Sequence, residues 1–183
     1  MAARIGNRKN AETALAFFEH AATPDKDWQR LSGGSYRACY LHKPTGVVYK
    51  VEDEWAGSTM GNRRELNNAR LLRRMEWKGV RIPMTSGFNV KGESGDNFVL
   101  AMEYIEGKMG KDVGRKSYAA QRRELYDRAG FSDMHGENFI FEKGSRKLVP
   151  IDLGSMLLAL GHGKAWHSRD DRVLRCGDGS LWG

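Results

Sequence analysis

The sequence predicts an α+β fold, in which a five-stranded antiparallel sheet with one helix precedes a smaller, more helical part. Three observations carry this expectation. Short runs rich in Tyr and Val, broken by turn clusters, fill residues 28–53. Helical spacing follows at 59–77, and two further strand-like runs close the first part before the character changes at Gly107. A chain of 183 residues has room for one domain or two small lobes sharing a cleft, which excludes a large multidomain machine. With 40% hydrophobic and 29% charged residues and only 4 Pro, it reads as globular rather than collagenous or disordered.

The elements follow in order. Residues 9–22 have good helix propensity and stop before Thr23-Pro24. Ser32-Gly33-Gly34-Ser35 and Lys43-Pro44-Thr45-Gly46 are turn clusters that divide residues 28–53 into three consecutive antiparallel strands. In the helix at 59–77, Glu65, Ala69 and Leu72 share one face. Met84–Val90 and Asn97–Tyr104 then flank the turn Gly92-Glu93-Ser94-Gly95-Asp96. Past Gly107 comes a polar stretch, a helical segment at 115–129, two short apolar runs (Phe139–Phe141 and Leu148–Ile151) and, after Gly154, an apolar turn and a Gly- and charge-rich tail. The expected division is an N-terminal extension at 1–27, a first lobe at 28–106, a second at 107–160 and a tail at 161–183.

Charge and cysteine usage narrow the classes. Thirty Lys and Arg against 23 Asp and Glu give +7, concentrated at 60–81 and 108–123. Such clusters can attract nucleic acid or acidic protein, but solvated faces of two helices are the favoured reading. Arg63, Arg70 and Arg74 share such a face. The five Trp are dispersed and fit packing better than base stacking. Cys39 and Cys176 have no partner spacing for zinc, so buried reduced thiols are expected. The longest uncharged apolar stretch, Leu153–His162, is too short to span a bilayer, and the N-terminus lacks the apolar core of a signal peptide. The expected location is a cytoplasm.

Chemistry concentrates in two segments. Phe131-Ser132-Asp133-Met134-His135-Gly136-Glu137-Asn138 is followed, fourteen residues after Asn138, by Asp152-Leu153-Gly154. This is the order of a kinase catalytic loop and metal-binding turn. One carboxylate faces the attacking hydroxyl, while an amide oxygen and a second carboxylate converge on magnesium at a triphosphate. Upstream, Val47-Val48-Tyr49-Lys50 is similar to the kinase V-A-I-K strand, with Val48 on the face of Lys50 by period-two alternation. Leu31 to Cys39 stands where a glycine-rich loop belongs, with Ser32, Gly34 and Arg37 in the places of its three glycines. That loop is degenerate.

Taken in order, Lys50, Glu65, Asp133, Asn138 and Asp152 resemble the protein-kinase-like superfamily across residues 28 to 155. The resemblance implies a minimal bilobal kinase-like fold with a reduced helical C-lobe and with ATP and Mg2+ between the lobes. It implies that Lys50 binds phosphate, Glu65 orients Lys50, Asp133 is the catalytic base, and Asn138 and Asp152 are the metal ligands. Ser32, Gly33, Gly34 and Val48, with the gatekeeper-like Met102 and the hinge residues Glu103 and Ile105, would complete the nucleotide site.

The departures matter as well. Ser132 replaces the Arg, and Phe131 the His, of the common H-R-D motif, so an activation loop controlled by phosphorylation is not expected. No Ala-Pro-Glu follows Asp152-Leu153-Gly154 in this sequence, and with 29 residues after Gly154 a peptide-substrate platform is not expected. His135 is similar to the D-x-H-x-x-N loop of aminoglycoside and choline kinases, although a buttressing role suits it better than direct chemistry. Ser132 to Ile140 also resembles the early serine/threonine protein kinases of autographivirus phages, and the strands Ala38–His42 and Val48–Val51 look like theirs. That resemblance implies a phage-encoded kinase in the host bacterial cytoplasm, acting on host proteins such as RNA polymerase to shut off host transcription. A small-molecule kinase and a kinase-derived binding protein that inhibits a host factor are the alternatives.

Overall fold

A computed structural model of the chain describes residues 5–31, 37–52, 61–93, 95–131 and 135–154. Helix α1 (Arg8–Glu19) starts at Asn7, whose side chain accepts the Asn10 amide at 2.8 Å and so satisfies one of the unpaired N–H groups of a helix start. It ends at Glu19 rather than at residue 22. Strands β1 (Trp28–Leu31), β2 (Arg37–His42) and β3 (Val47–Glu52) follow, then α2 (Gly61–Leu72), β4 (Thr85–Gly92) and β5 (Gly95–Glu103). The five strands form one antiparallel sheet, as predicted, and lie in the order β1-β2-β3-β5-β4. Helix α2 stops at Leu72 because the next amides tighten into i−3 bonds, Arg74 to Leu71 and Met75 to Leu72.

Central strand β3 is buried over five of its six residues, so both sheet faces are covered. Helix α1 covers one face, packing Ala11, Ala14 and Leu15 with Tyr40, Tyr49, Val51, Val99 and Ala101. Phe17 and Trp28 extend this core with an edge-on ring contact at 5.6 Å. The segment before α1 is sewn to the sheet by the Ile5 amide on Ser86 Oγ and the Asn7 amide on the Tyr49 hydroxyl. Alternation turns Val48 and Lys50 to the opposite face, the one that meets α2.

Past Gly107, strands β6 (Gly107–Met109), β7 (Phe139–Glu142) and β8 (Leu148–Pro150) make a second antiparallel sheet, ordered β6-β7-β8. The β7–β8 pair joins the two expected apolar runs, whereas β6 lies in the stretch read only as polar. Helix α3 (Ala119–Ala129) follows a single 3-10 turn at Arg115–Tyr118 and ends on Gly130, whose φ of 64° is a left-handed cap that a side chain would strain. Its Leu125 and Ala129 pack with Phe131, Phe139, Leu148 and Leu153, and also with Ala69 and Leu72 of α2. Helix α2 is therefore shared: it lies on the five-stranded sheet and closes the second core. Trp28 and Trp77 pack against these two cores, as expected. Among the described residues no helix is long and apolar enough to cross a membrane. Trp55, Trp166, Trp182, Cys176, the apolar turn at 156–160 and the tail at 161–183 lie outside the described residues.

Candidate active site

The site grows from the β2–β3–β5 register. Arg37 lies opposite Glu52, Cys39 opposite Lys50, and Leu41 opposite Val48. Lys50 and Val48 in turn lie opposite Leu100 and Met102 of β5. Because side chains alternate, all of these residues share the face turned away from α1. That face is graded. Leu41, Val48 and Met102 form an apolar tier at one end, and Arg37, Glu52 and Lys50 form a charged tier at the other.

Helix α2 completes the charged tier. Its buried side carries Asn62, Glu65 and Asn68, a polar stripe at helical spacing beside the apolar Ala69 and Leu72. Each of the three is tied to the site. The Asn62 amide group donates to the carbonyls of Lys50 and Phe98 at 2.9 and 3.0 Å, and that of Asn68 donates to the Leu153 carbonyl at 2.6 Å. Glu65, fully buried, accepts from Lys50 Nζ at 2.6 Å through one carboxylate oxygen and from Arg37 Nη1 at 2.8 Å through the other. Lys50, 4% exposed, also donates to the Ile151 carbonyl, beside Asp152. The Ile151 amide donates to the Asn138 carbonyl at 2.8 Å, which brings Asn138 alongside the Ile151–Asp152 segment.

Arg37 is the hub. It donates to Glu65 at 2.8 Å, to Glu52 at 3.1 Å and to Asp152 at 3.4 Å. Burial disfavours its charged form, but Glu65, Asp152 and Glu52 more than offset this and hold the guanidinium charged. Burial pushes the Glu52 carboxyl up, against the pull of Arg37 and of the Asn62 amide at the start of α2. For Asp152 the balance is reversed: burial would raise it, yet Arg37, Lys50 and the Gly154 amide hold its carboxyl below the usual aspartate value. Asp152 is thus an ionised carboxylate with 42% of its side chain exposed. The Cys39 thiol is pushed up chiefly by burial and stays protonated, consistent with the free thiol expected.

Of the residues singled out from the sequence, Lys50, Glu65, Asn138 and Asp152 come together, and Val48 and Met102 face one another on the apolar tier. Ile105 is buried just past that tier. The Glu103 side chain is engaged, accepting from Arg81 Nη1 and from the Met84 amide, both at 2.6 Å. His135 is exposed, and its carbonyl accepts the Asn138 amide at 3.0 Å. Asp133, Ser32, Gly33 and Gly34 lie outside the described residues. Gly136 packs the loop against the backbone: a Cβ there would meet Lys111 N at 2.6 Å, so no side chain fits without a shift.

Two members were not anticipated. Arg37 was expected only as a substitute for a loop glycine, and Glu52 was not considered. Their signal lies in the β2–β3 pairing, which sets a cation opposite an anion at the open end of the hairpin.

The donor set suits magnesium, which prefers hard oxygen ligands. Asp152 offers an ionised carboxylate, and Asn138, one ladder step away, an amide oxygen. Among the described residues no group of three His, Cys, Asp or Glu side chains is arranged to hold a metal unaided, so phosphate oxygens and water would supply the remaining ligands.

No protein-family model and no curated protein sequence matches the chain. Among solved structures it is similar to APH(2")-IIia in complex with GDP and kanamycin, at 13% identity and a TM-score of 0.50, over 80% of this chain and 73% of that one. The fold is protein-kinase-like. It is the α+β, minimal bilobal form expected from the sequence. Two GDP complexes of aminoglycoside 2'-phosphotransferase-IIIa superpose less well. For the wild type the identity is 16% and the TM-score 0.37, over 56% of this chain and 32% of that one. For a point mutant they are 18% and 0.40, over 65% and 38%.

Proposed function

We propose that the chain binds a magnesium nucleoside triphosphate and transfers its γ-phosphoryl group to a hydroxyl acceptor. The observation that carries this reading is the Lys50–Glu65 pair set beside Asp152, at the charged end of a sheet face whose other end is apolar. The apolar tier suits a base, and the charged tier suits phosphates. Buried Glu65 fixes the Lys50 ammonium, so its charge is aimed before the substrate arrives. Asp152 and Asn138 would hold magnesium, which neutralises phosphate charge when bound. In the transfer the acceptor oxygen attacks phosphorus, its proton passes to Asp133, and the β–γ bridging bond breaks to release the nucleoside diphosphate.

The acceptor proposed is a Ser or Thr hydroxyl of a host bacterial protein, the transcription machinery first, in a phage-infected cell. Support comes from the Ser132–Ile140 stretch and its likeness to early phage kinases. A second reading, a small-molecule acceptor, is favoured by His135 and by the structural likeness to APH(2")-IIia, whose complex holds kanamycin.

The test offers γ-labelled ATP and GTP to the protein with bacterial lysate and, separately, with kanamycin, beside Asp133→Asn and Asp152→Asn controls. Label on lysate protein that both variants abolish supports the protein-kinase reading, and label on kanamycin supports the second. Label on neither, from a folded protein, rejects catalysis and leaves the host-factor inhibitor.

A further inference from the structure

We infer that Arg37 is a resident counter-cation of the phosphate site, holding Asp152 until magnesium displaces it; the inference rests on the nucleotide reading above. Three carboxylates, those of Glu52, Glu65 and Asp152, surround the guanidinium, and among the described residues the other cation paired with them is Lys50 on Glu65. Without Arg37, the buried carboxylates of Glu65 and Glu52 and the part-exposed one of Asp152 would face one ammonium among the described residues, and leaving the buried pair short of a cation is costly to folding.

The surroundings are shaped for this side chain. A Cβ on Gly61 would meet Glu52 Oε1 first and sit 2.8 Å from Arg37 Nη2, and one on Gly154 would sit 3.0 Å from Arg37 Nη2, so two glycines make room for the Arg37–Glu52 pair. The contacts are unequal. Those to Glu65 and Glu52 measure 2.8 and 3.1 Å to carboxylates that are 1% and 11% exposed. The contact to Asp152 is the longest, at 3.4 Å, and its carboxylate is 42% exposed. It is therefore the bond that yields. A divalent ion on Asp152 supplies the charge that Arg37 had provided and repels the guanidinium, which Glu52 and Glu65 retain. Arg37 thus sets the magnesium concentration at which the site loads. It is a positioning residue, placed at the start of β2.

The experiment titrates Mg2+ at fixed ATP and reads nucleotide binding by calorimetry, with Mn2+ binding in the absence of nucleotide read by paramagnetic resonance. Arg37→Gln should lower the half-saturating metal concentration about fivefold, the scale of one partly exposed ion pair. Glu52→Gln should raise it, because Arg37 then leans harder on Asp152. A purely structural role would shift neither midpoint, or both in the same direction, and either result overturns the inference. If Arg37→Gln fails to fold, Glu52→Gln decides alone. Nucleotide binding by the wild type with unshifted midpoints in the variants rejects this inference and leaves the nucleotide reading standing. No nucleotide binding by the wild type at any Mg2+ concentration rejects both.

Discussion

Glu65 is the residue on which the charged tier turns, because its two oxygens hold two cations arriving from different strands. Replacing it by Ala leaves Lys50 and Arg37 facing each other with less anion between them. Urea unfolding of Glu65→Ala should show a loss of about 3 kcal/mol, the scale of breaking a buried pair. Lys50→Met should cost clearly less stability, since Arg37 still neutralises Glu65. Gly136 makes a different demand, of space rather than charge. A methyl at Gly136 pushes on the Lys111 backbone and displaces the turn that carries Asn138. If the transfer reading holds, Gly136→Ala should slow label transfer at least about tenfold, the cost of a misplaced reacting group, while its far-ultraviolet spectrum stays unchanged.

Among the elements, α1 matters more than a leading helix need. Leu15, 2% exposed, enters the core beneath Tyr40 and Tyr49. Leu15→Ala should lower unfolding free energy by about 3 kcal/mol, read from the urea midpoint with Trp28 fluorescence as one reporter. Helix α3 has its own tether, since Glu124 accepts the amides of Lys78 and Gly79 at 2.9 and 3.2 Å. Burial would raise this carboxyl, but those amides and Arg128 hold it below its ordinary value of 4.5. The stabilisation is therefore complete above pH 4.5 and is lost as pH falls through the lower folded value. Glu124→Gln should lower the melting temperature at pH 7 and lose less of it between pH 5 and pH 3 than the wild type does.

The elements differ in how far their residues announce them. Period-two alternation and Gly- or Pro-marked turns make β2, β3, β4 and β5 legible, and two short apolar runs make the β7–β8 pair legible. Strand β6 is only Gly107-Lys108-Met109, too short to carry a period, and it exists because Phe141 and Ile140 offer it a partner edge. Arg37 and Glu52 are ordinary surface types until the register places them face to face. Helix α2 misleads in part, since its buried Asn62 and Asn68 look solvent-facing by type, yet their amide groups donate to carbonyls of other elements.

For the whole molecule the joining of its two parts is the main lesson. Arg81 donates to Glu103 at the end of β5 and, through its other nitrogens, to Glu142 on β7, linking the hinge to the second sheet. Asn68 and Lys50 reach the carbonyls of Leu153 and Ile151 from the other side. Such long-range partners leave no local pattern, which is why the fold class was readable while the fastening of its parts was not. The same links place a charged tier beside Asp152, and the claim that this tier binds a nucleotide rests on them.

Calorimetric titration of Mg-ATP and Mg-GTP into the wild type and Lys50→Met tests that claim most directly. Saturable binding by the wild type is expected, with at least about tenfold weaker binding by the variant, the loss of one charge-assisted contact, at a comparable melting temperature. No binding heat for either nucleotide, or equal affinity in Lys50→Met, would contradict it.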